Sequence, residues 1–389
     1  MPYSRSQLAS PLPLLGNRSP QAFMQRFWQK KALLIRSAIE GFIDPITPEA
    51  LFRLAQSRAV ESRLILNEAG TWRLEHGPFR KSRWQSLPAR NWTLLVQGLN
   101  HHVAAAERLL RRFDFVPLAR LDDVMVSVAA PGGGVGPHFD SYDVFLLQGQ
   151  GVRRWALSRQ RDLQLAPEAP LKLLKQMRVE ESHDLVGGDM LYLPPRVAHD
   201  GVAIQESGLC TTYSIGFRAP GTNETAHRWL DWLADTLDPD DETLPRDPDL
   251  CATTTPARMP RQYVQHVRAA LARLPTNPDA IAEFAGCLAT HPKANTVWSP
   301  PGPPLGRAAF KRQAIAQGVR FAAQTRALYD AKRLYVNGEA FEIVDMRDFW
   351  RDFADERATE LPPSLPAAVW ALLYAWYVSG WVRLGNGDT

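Results

Sequence analysis

His138 and Asp140 stand two residues apart in Pro137-His-Phe-Asp140, and His199 follows much later in Pro194-Pro-Arg-Val-Ala-His199. Two imidazoles and one carboxylate can cover one face of a metal ion and leave the other face open. That arrangement serves non-haem Fe(II), which must bind oxygen and a co-substrate together. On a strand, residues i and i+2 point the same way, so His138 and Asp140 project together while Phe139 packs on the other side. The plainer alternative is two structural histidines beside a surface aspartate. Against it stands the Gly188-Asp189-x-x-Tyr192-x-Pro194 turn that leads into the third ligand. A ligating imidazole needs its second nitrogen held to fix the tautomer. Asp143, Asp200 and Tyr142 are the nearby candidates, and the spacing leaves the choice among them open.

Iron held this way still needs two electrons to split oxygen. 2-Oxoglutarate supplies them by chelating the metal through its keto-acid end, and its far carboxylate then needs a buried cation. Arg153 is the candidate, since a guanidinium meets a carboxylate in a two-pronged fork that lysine cannot reproduce. Its neighbour Arg154 must face the other way, so only one of the two can be inside. The run Pro131-Gly-Gly-Gly-Val-Gly136 invites a nucleotide-loop reading, but proline and a strand pattern follow it, and it lacks the lysine of a phosphate loop. A flexible loop that leaves the metal mouth open is the better expectation.

The elements that must carry these residues are short strands. Val124, Val126 and Val128 alternate with Met125 and Ser127, the period of a half-buried strand. The apolar run of Asp143–Gln148, the turn Gln148-Gly-Gln-Gly151 and the strand Val152–Leu157 read as a hairpin. Gly187-Gly188 makes a further turn before Met190–Leu193, and Leu209–Phe217 is a last strand. Many short strands joined by glycine-rich turns predict an antiparallel jelly roll. Beyond it, Trp229, Leu230, Leu233 and Leu237 share a helical face, as do Tyr263, Val264, Val267, Leu271 and Leu274. The last segment mixes helices with a hairpin around Asn337-Gly338, the preferred pair for a type I′ turn and the outline of a winged helix.

Two composition breaks separate these segments: an acidic, proline-rich stretch from Asp235 to Asp249, read as an exposed linker, and a stiff proline-rich connector from His291 to Gly306. The chain has 389 residues, with 45 basic and 41 acidic side chains for a net charge of +4, too mild by itself to imply direct nucleic-acid binding. Three widely spaced cysteines, Cys210, Cys251 and Cys287, form no disulfide framework and fit a reducing cytoplasm. No signal peptide is evident, and the apolar run Val369–Val382 is too short and too aromatic for a membrane span.

Several stretches together resemble the bacterial ribosomal oxygenases of the JmjC superfamily. They are Met125-x-Ser127, Pro131-Gly-Gly-Gly-Val-Gly-Pro-His-Phe-Asp140, Tyr142-Asp-Val-Phe145, Gln148-Gly-x-Gly151, Arg153-Arg-Trp155, Gly188-Asp189, Pro194-Pro195, His199-x-Gly201 and Tyr213-Ser-x-Gly-Phe-Arg-Ala-Pro220. Phe42-Ile-Asp-Pro45, His76-Gly-Pro-Phe79, Trp92-x-Leu-Leu-Val-Gln97 and Tyr335-x-Asn-Gly-Glu339 extend the likeness across most of the chain. The resemblance implies an α+β multidomain protein: a double-stranded β-helix (cupin-like JmjC) catalytic domain with an N-terminal extension over 1–225, a helical dimerisation domain over 226–300, and a C-terminal winged-helix-like domain over 301–389.

It also implies an Fe(II)- and 2-oxoglutarate-dependent dioxygenase, a cytoplasmic homodimer that hydroxylates an arginine side chain of a large-subunit ribosomal protein. His138, Asp140 and His199 would hold the metal and act in catalysis, with Arg153, Thr212 and Ser214 binding the co-substrate. Hydroxylation or demethylation of another residue is the alternative, and a non-catalytic cupin-like binding protein is a third reading. Two departures from the family pattern bear on the pocket: Thr212 stands where an asparagine is expected, and the stretch from His199 to Tyr213 is a few residues longer than usual. A basic substrate also calls for an acidic cleft, to which Asp122-Asp123, Asp143 and the 235–249 linker are the candidate contributors.

Overall fold

A computed structural model describes residues 3–385 apart from 69, 168, 219, 239–243, 245, 295 and 344. Its first part is a jelly roll. In chain order the strands are β1 (Leu33–Ile35), β2 (Ser62–Glu68), β3 (Thr71–His76), β4 (Trp92–Val96), β5 (Leu121–Ala129), β6 (Val144–Gln148), β7 (Arg153–Ser158), β8 (Glu181–Leu185), β9 (Met190–Leu193), β10 (Ala198–Ala203) and β11 (Cys210–Phe217). The larger sheet runs β1-β9-β6-β11-β5-β4-β2-β3, and β10-β7-β8 face it as a smaller sheet. All these pairings are antiparallel.

Period-two alternation sorts every strand of the larger sheet into two faces. Val124, Val126 and Val128 of β5, Phe145 and Leu147 of β6, and Tyr213, Ile215 and Phe217 of β11 point outward. There they pack under the N-terminal helices Pro20–Arg26 and Ala104–Arg111, which contribute Phe23, Leu109 and Leu110. Val144 and Leu146 of β6 point inward against Trp155 and Leu157 of the smaller sheet. The unbroken apolar run of β6 is thus explained by burial on both faces. Met125 and Ser127 of β5, with Thr212 and Ser214 of β11, turn inward where the two sheets separate around a cavity.

One expectation fails here. β6 and β7 do not form a hairpin: β6 pairs with β9 and β11, whereas β7 pairs with β10 and β8 in the opposite sheet. The intervening turn is held to the start of β11 by Gly149 N–H to Thr211 O at 3.0 Å and Gln150 N–H to Thr211 Oγ1 at 2.8 Å. Gly151, at a φ of 75°, then lets the chain cross over. A glycine-rich turn between two apolar runs is equally compatible with a hairpin and with a step between sheets.

The helices Thr222–Thr236, Arg261–Ala272 and Pro278–Thr290 follow. Trp229 and Trp232 of the first pack on Phe284 of the third, while Leu230 and Leu237 stay exposed. The expected linker at 235–249 lies partly outside the described residues. The connector 291–306 is irregular wherever it is described. Beyond it, the hairpin Arg333–Val336 and Glu339–Glu342 turns at Asn337 (φ 53°) and Gly338 (φ 91°), as a type I′ turn requires. The helix Ala367–Val378 buries Trp370, Leu373, Trp376 and Tyr377 in the core of this last part. No helix among the described residues is long and apolar enough to cross a membrane, and all three cysteines are free.

Gly201 of β10 lies against Trp155 of β7; a Cβ there would sit 2.5–2.8 Å from three ring atoms of the indole. Gly201→Ala is therefore expected to lower the unfolding free energy by about 1–3 kcal/mol through overpacking, read by denaturant titration. A variant as stable as the wild type would show that Trp155 yields freely.

Candidate metal centre and co-substrate pocket

His138 is not on a regular strand. It lies in an extended segment joined to β10 by reciprocal backbone bonds, His138 N–H to His199 O at 2.9 Å and His199 N–H to His138 O at 2.8 Å. The bridge sets the two imidazoles side by side, with ring centroids 4.2 Å apart. Asp140 joins them, its Oδ2 3.7 Å from His199 Nε2. Among the described residues, His138, Asp140 and His199 are the group whose ligand atoms lie within 4.8 Å of one another. Two imidazoles, one carboxylate and a cavity on the remaining side fit a first-row divalent ion with open positions.

The imidazoles are held by the backbone. His138 Nδ1 lies 2.8 Å from Gly136 O and His199 Nδ1 lies 2.9 Å from Val197 O. In both cases the partner is the carbonyl two residues earlier. An Nδ1–H that donates to a carbonyl leaves Nε2 as the lone-pair donor, the tautomer a metal needs. This corrects the expectation of a side-chain holder. Asp143 is wholly buried elsewhere, accepting from Tyr192 Oη at 2.6 Å and Gln29 Nε2 at 3.0 Å. Tyr142 bonds Asp140 rather than a histidine, and Asp200 bonds neither ring. Burial, reinforced by His138, pushes the His199 imidazole down to about 3, so it stays neutral. Burial raises the Asp140 carboxyl against the pull of His138 and the Tyr142 hydroxyl. A bound cation would favour its ionised form.

The glycine run preceding His138 is packed rather than open. Gly132 N–H donates to Ala203 O at 2.8 Å, and Ala203 N–H to Gly133 O at 2.9 Å. A Cβ on Gly134 would come 2.7 Å from Gly201 O. The glycines let this segment lie directly against β10, which is what brings His138 beside His199.

A cavity of about 610 Å³ opens from the triad between the sheets. Arg153 lies in its wall and is buried at 3% exposure, whereas Arg154 points out to Asp184 with Nε–Oδ1 at 2.6 Å. The Arg153 guanidinium donates from Nε to Thr212 Oγ1 at 2.9 Å and from Nη1 to Gly201 O at 3.0 Å. Its Nη2 is buried without a partner, and a buried guanidinium nitrogen left bare calls for an acceptor in the cavity. Thr212 in turn donates to Gln148 Oε1 at 3.0 Å, and Gln148 is itself anchored through Nε2 to Gln150 O at 3.0 Å. Thr212 therefore orients Arg153. The sequence marked Gln148 only as a turn residue; its place one strand over from Thr212 depends on the β6–β11 register. Ser214 also lines the cavity, near its floor of Val144, Leu146 and Trp155.

Asp122 and Asp123, at the start of β5, line the cavity too. Gln97 Nε2 bonds both oxygens of Asp123, at 3.0 and 2.9 Å.

Comparison with known proteins adds to this geometry. The JmjC domain family matches residues 108–225, and the ROXA-like winged helix family matches residues 269–383. The chain is 34% identical over 334 residues to the ribosomal protein uL16 3-hydroxylase of Escherichia coli K12, covering 82% of this chain and 84% of that protein. It is 35% identical over 206 residues to a probable ribosomal oxygenase of Haemophilus influenzae, covering 52% of this chain and 50% of that one. The solved structure of the E. coli ribosomal oxygenase YcfD with cobalt and 2-oxoglutarate is similar at a TM-score of 0.79 and 31% identity, over 95% of this chain and 98% of that one.

His138→Ala leaves two of the three donors. It is expected to weaken Co(II) binding by more than about 100-fold, because loss of an outer-sphere partner alone costs roughly 10–100-fold. Calorimetric titration of the folded variant measures this, and undiminished affinity would remove His138 from the ligand set.

Proposed function

Because this chain belongs to the JmjC-type ribosomal oxygenases, Fe(II)- and 2-oxoglutarate-dependent protein hydroxylases, we propose that it hydroxylates an arginine side chain of a large-subunit ribosomal protein, with uL16 as the first candidate. The observation that carries the reading is the bare Nη2 of buried Arg153 in the wall of the cavity that also holds His138, Asp140 and His199. When bound, Fe(II) with 2-oxoglutarate supplies the oxidising power; the protein supplies position and a dry surround.

His138 and His199 would each offer Nε2, and Asp140 a carboxylate oxygen. Arg153 would take the far carboxylate of 2-oxoglutarate in a charge-assisted pair. Thr212 holds that guanidinium in place, and Ser214 stands beside it on the same strand face. Val144, Leu146, Trp155 and Leu173 give the cavity an apolar part of its lining, which would help to keep water from the reacting carbon. A basic substrate side chain would approach past Asp122 and Asp123. Asp143, expected to share this task, is wholly buried and bonded to Tyr192 and Gln29.

On this reading residues 1–225 are the catalytic unit, 226–300 a helical unit through which two copies associate, and 301–389 a winged-helix-like unit, all acting in the cytoplasm. Support for association comes from the row of exposed apolar side chains Tyr263, Val264, Val267 and Leu271 on one helix.

The test is mass spectrometry of uL16 from cells with and without this gene, paired with succinate release by the iron-loaded protein on uL16 peptides. A one-oxygen gain on arginine that depends on the gene is expected. A gain on histidine, or loss of a methyl group, would favour the alternative substrates, and no turnover of 2-oxoglutarate would end the enzymatic reading.

Thr212→Val removes the hydroxyl that bonds Arg153. It is expected to raise the KM for 2-oxoglutarate by about 10–150-fold, the worth of a hydrogen bond to a charged group, with the peptide KM little changed. Thr212→Ser is expected to restore it. Equal KM values in all three proteins would show that Thr212 positions nothing.

A further inference from the structure

Lys293 belongs to the connector after the helix Pro278–Thr290, far in sequence from the jelly roll. Yet its Nζ lies 2.7 Å from Asp122 Oδ2 and 3.1 Å from Asp123 Oδ2. Both carboxylates line the cavity that contains the triad. Arg218 Nε also bonds Asp122, at 3.0 Å. Two anions thus meet two cations. Arg63, Arg153 and Lys172 line the same cavity against Asp122, Asp123 and Asp140, so the resting site offers an arriving basic side chain no surplus of negative charge.

The partners of the acid pair differ in their freedom to leave. The Arg218 side chain is 19% exposed and also donates to Ala289 O and His291 O, whereas that of Lys293 is 37% exposed. Lysine carries a point charge on a flexible stem and makes no bidentate fork, so it can be exchanged for a guanidinium that does. Removing it with nothing in its place would strand the Asp123 carboxylate, 4% exposed, without its ammonium partner.

We propose that Lys293 is a tethered stand-in for the substrate's cation: it neutralises Asp122 and Asp123 in the resting enzyme and is displaced when the substrate arginine enters. The proposal builds on the arginine-hydroxylase reading above. It makes Lys293 a specificity-determining residue. Arg218 stays on Asp122, so it is Asp123 that needs an entering side chain to bring its own positive charge once the lysine has gone, and a neutral isostere of arginine gains nothing by entering.

Two measurements test it. In the first, the full-length protein loaded with Co(II) and 2-oxoglutarate is treated with an amine-acylating reagent, and labelling of Lys293 is read by peptide mass spectrometry. A uL16-type peptide containing arginine is expected to raise labelling several-fold, while the same peptide with citrulline leaves it unchanged. Labelling that stays constant or falls with the arginine peptide overturns the proposal.

In the second, steady-state kinetics compare variants. Lys293→Met is expected to lower the peptide KM about two- to fivefold, the scale of losing one partly exposed ion pair, with kcat and the KM for 2-oxoglutarate unchanged. Lys293→Arg, with its stronger grip, is expected to raise it. A peptide KM that is unaltered or higher in Lys293→Met assigns Lys293 a purely structural role. If the wild type hydroxylates no arginine peptide, the substrate reading fails on its own, and the labelling result still decides whether Lys293 gives way to a guanidinium.

Discussion

Two reciprocal backbone hydrogen bonds between His138 and His199, at 2.9 and 2.8 Å, fix the chemistry of this protein more than any side-chain contact does. They join a segment outside the regular strands to the second residue of β10, so that both imidazoles face the same cavity. Each ring then folds back on the carbonyl two residues before it, Gly136 for His138 and Val197 for His199. The local backbone therefore sets the tautomer, the ring orientation and the free Nε2 together. Gly134 serves this bridge directly, since a Cβ there would meet Gly201 O of β10, while Gly132, Gly133 and Gly136 leave no room for a Cβ against Asn91, Trp92 and Trp72.

From that bridge the rest of the pocket follows by strand periodicity. On β7, Arg153 and Trp155 face inward and Arg154 outward; on β11, Thr212 and Ser214 face inward while Tyr213 and Ile215 join the outer core. A shift of one residue would turn Arg153 and Trp155 outward on β7, or put Tyr213 in the place of Thr212 on β11. The outer faces of β5, β6 and β11 are locked by the helical layer above them, so the register of the polar inner face is enforced by apolar packing on the other side. Rigidity at the site is supplied by a core that never touches it.

The same logic explains what could be read in advance. Alternation required that only one of Arg153 and Arg154 lie inside, and the type I′ signal of Asn337-Gly338 fixed the late hairpin, because both depend on residues adjacent in sequence. The holders of the imidazoles escaped notice because they are carbonyl oxygens, which every residue has and no sequence distinguishes. The β6–β7 connection was misread because glycine permits a tight turn without saying which sheet the chain will rejoin. Gln148 and Lys293 were missed as site residues for a related reason. Each owes its place to a partner distant in sequence, Thr212 for one and the Asp122–Asp123 pair for the other.

Arg153 lines the pocket and Lys293 bonds the Asp122–Asp123 pair that lines it, and the difference in their burial divides their labour. Arg153 is 3% exposed, bonded on two sides and bare on the third. It cannot leave, so an anion has to come to it, and the fork of a guanidinium selects a carboxylate for that place. Lys293 is more exposed, carries its charge at a point on a flexible stem, and bonds a carboxylate pair. It can leave, so a cation can take its seat. On the proposed reading the fixed cation would recruit the anionic co-substrate and the removable one would give way to a cationic substrate side chain, which would let a chain of slightly basic net charge receive a basic partner without an acidic surface.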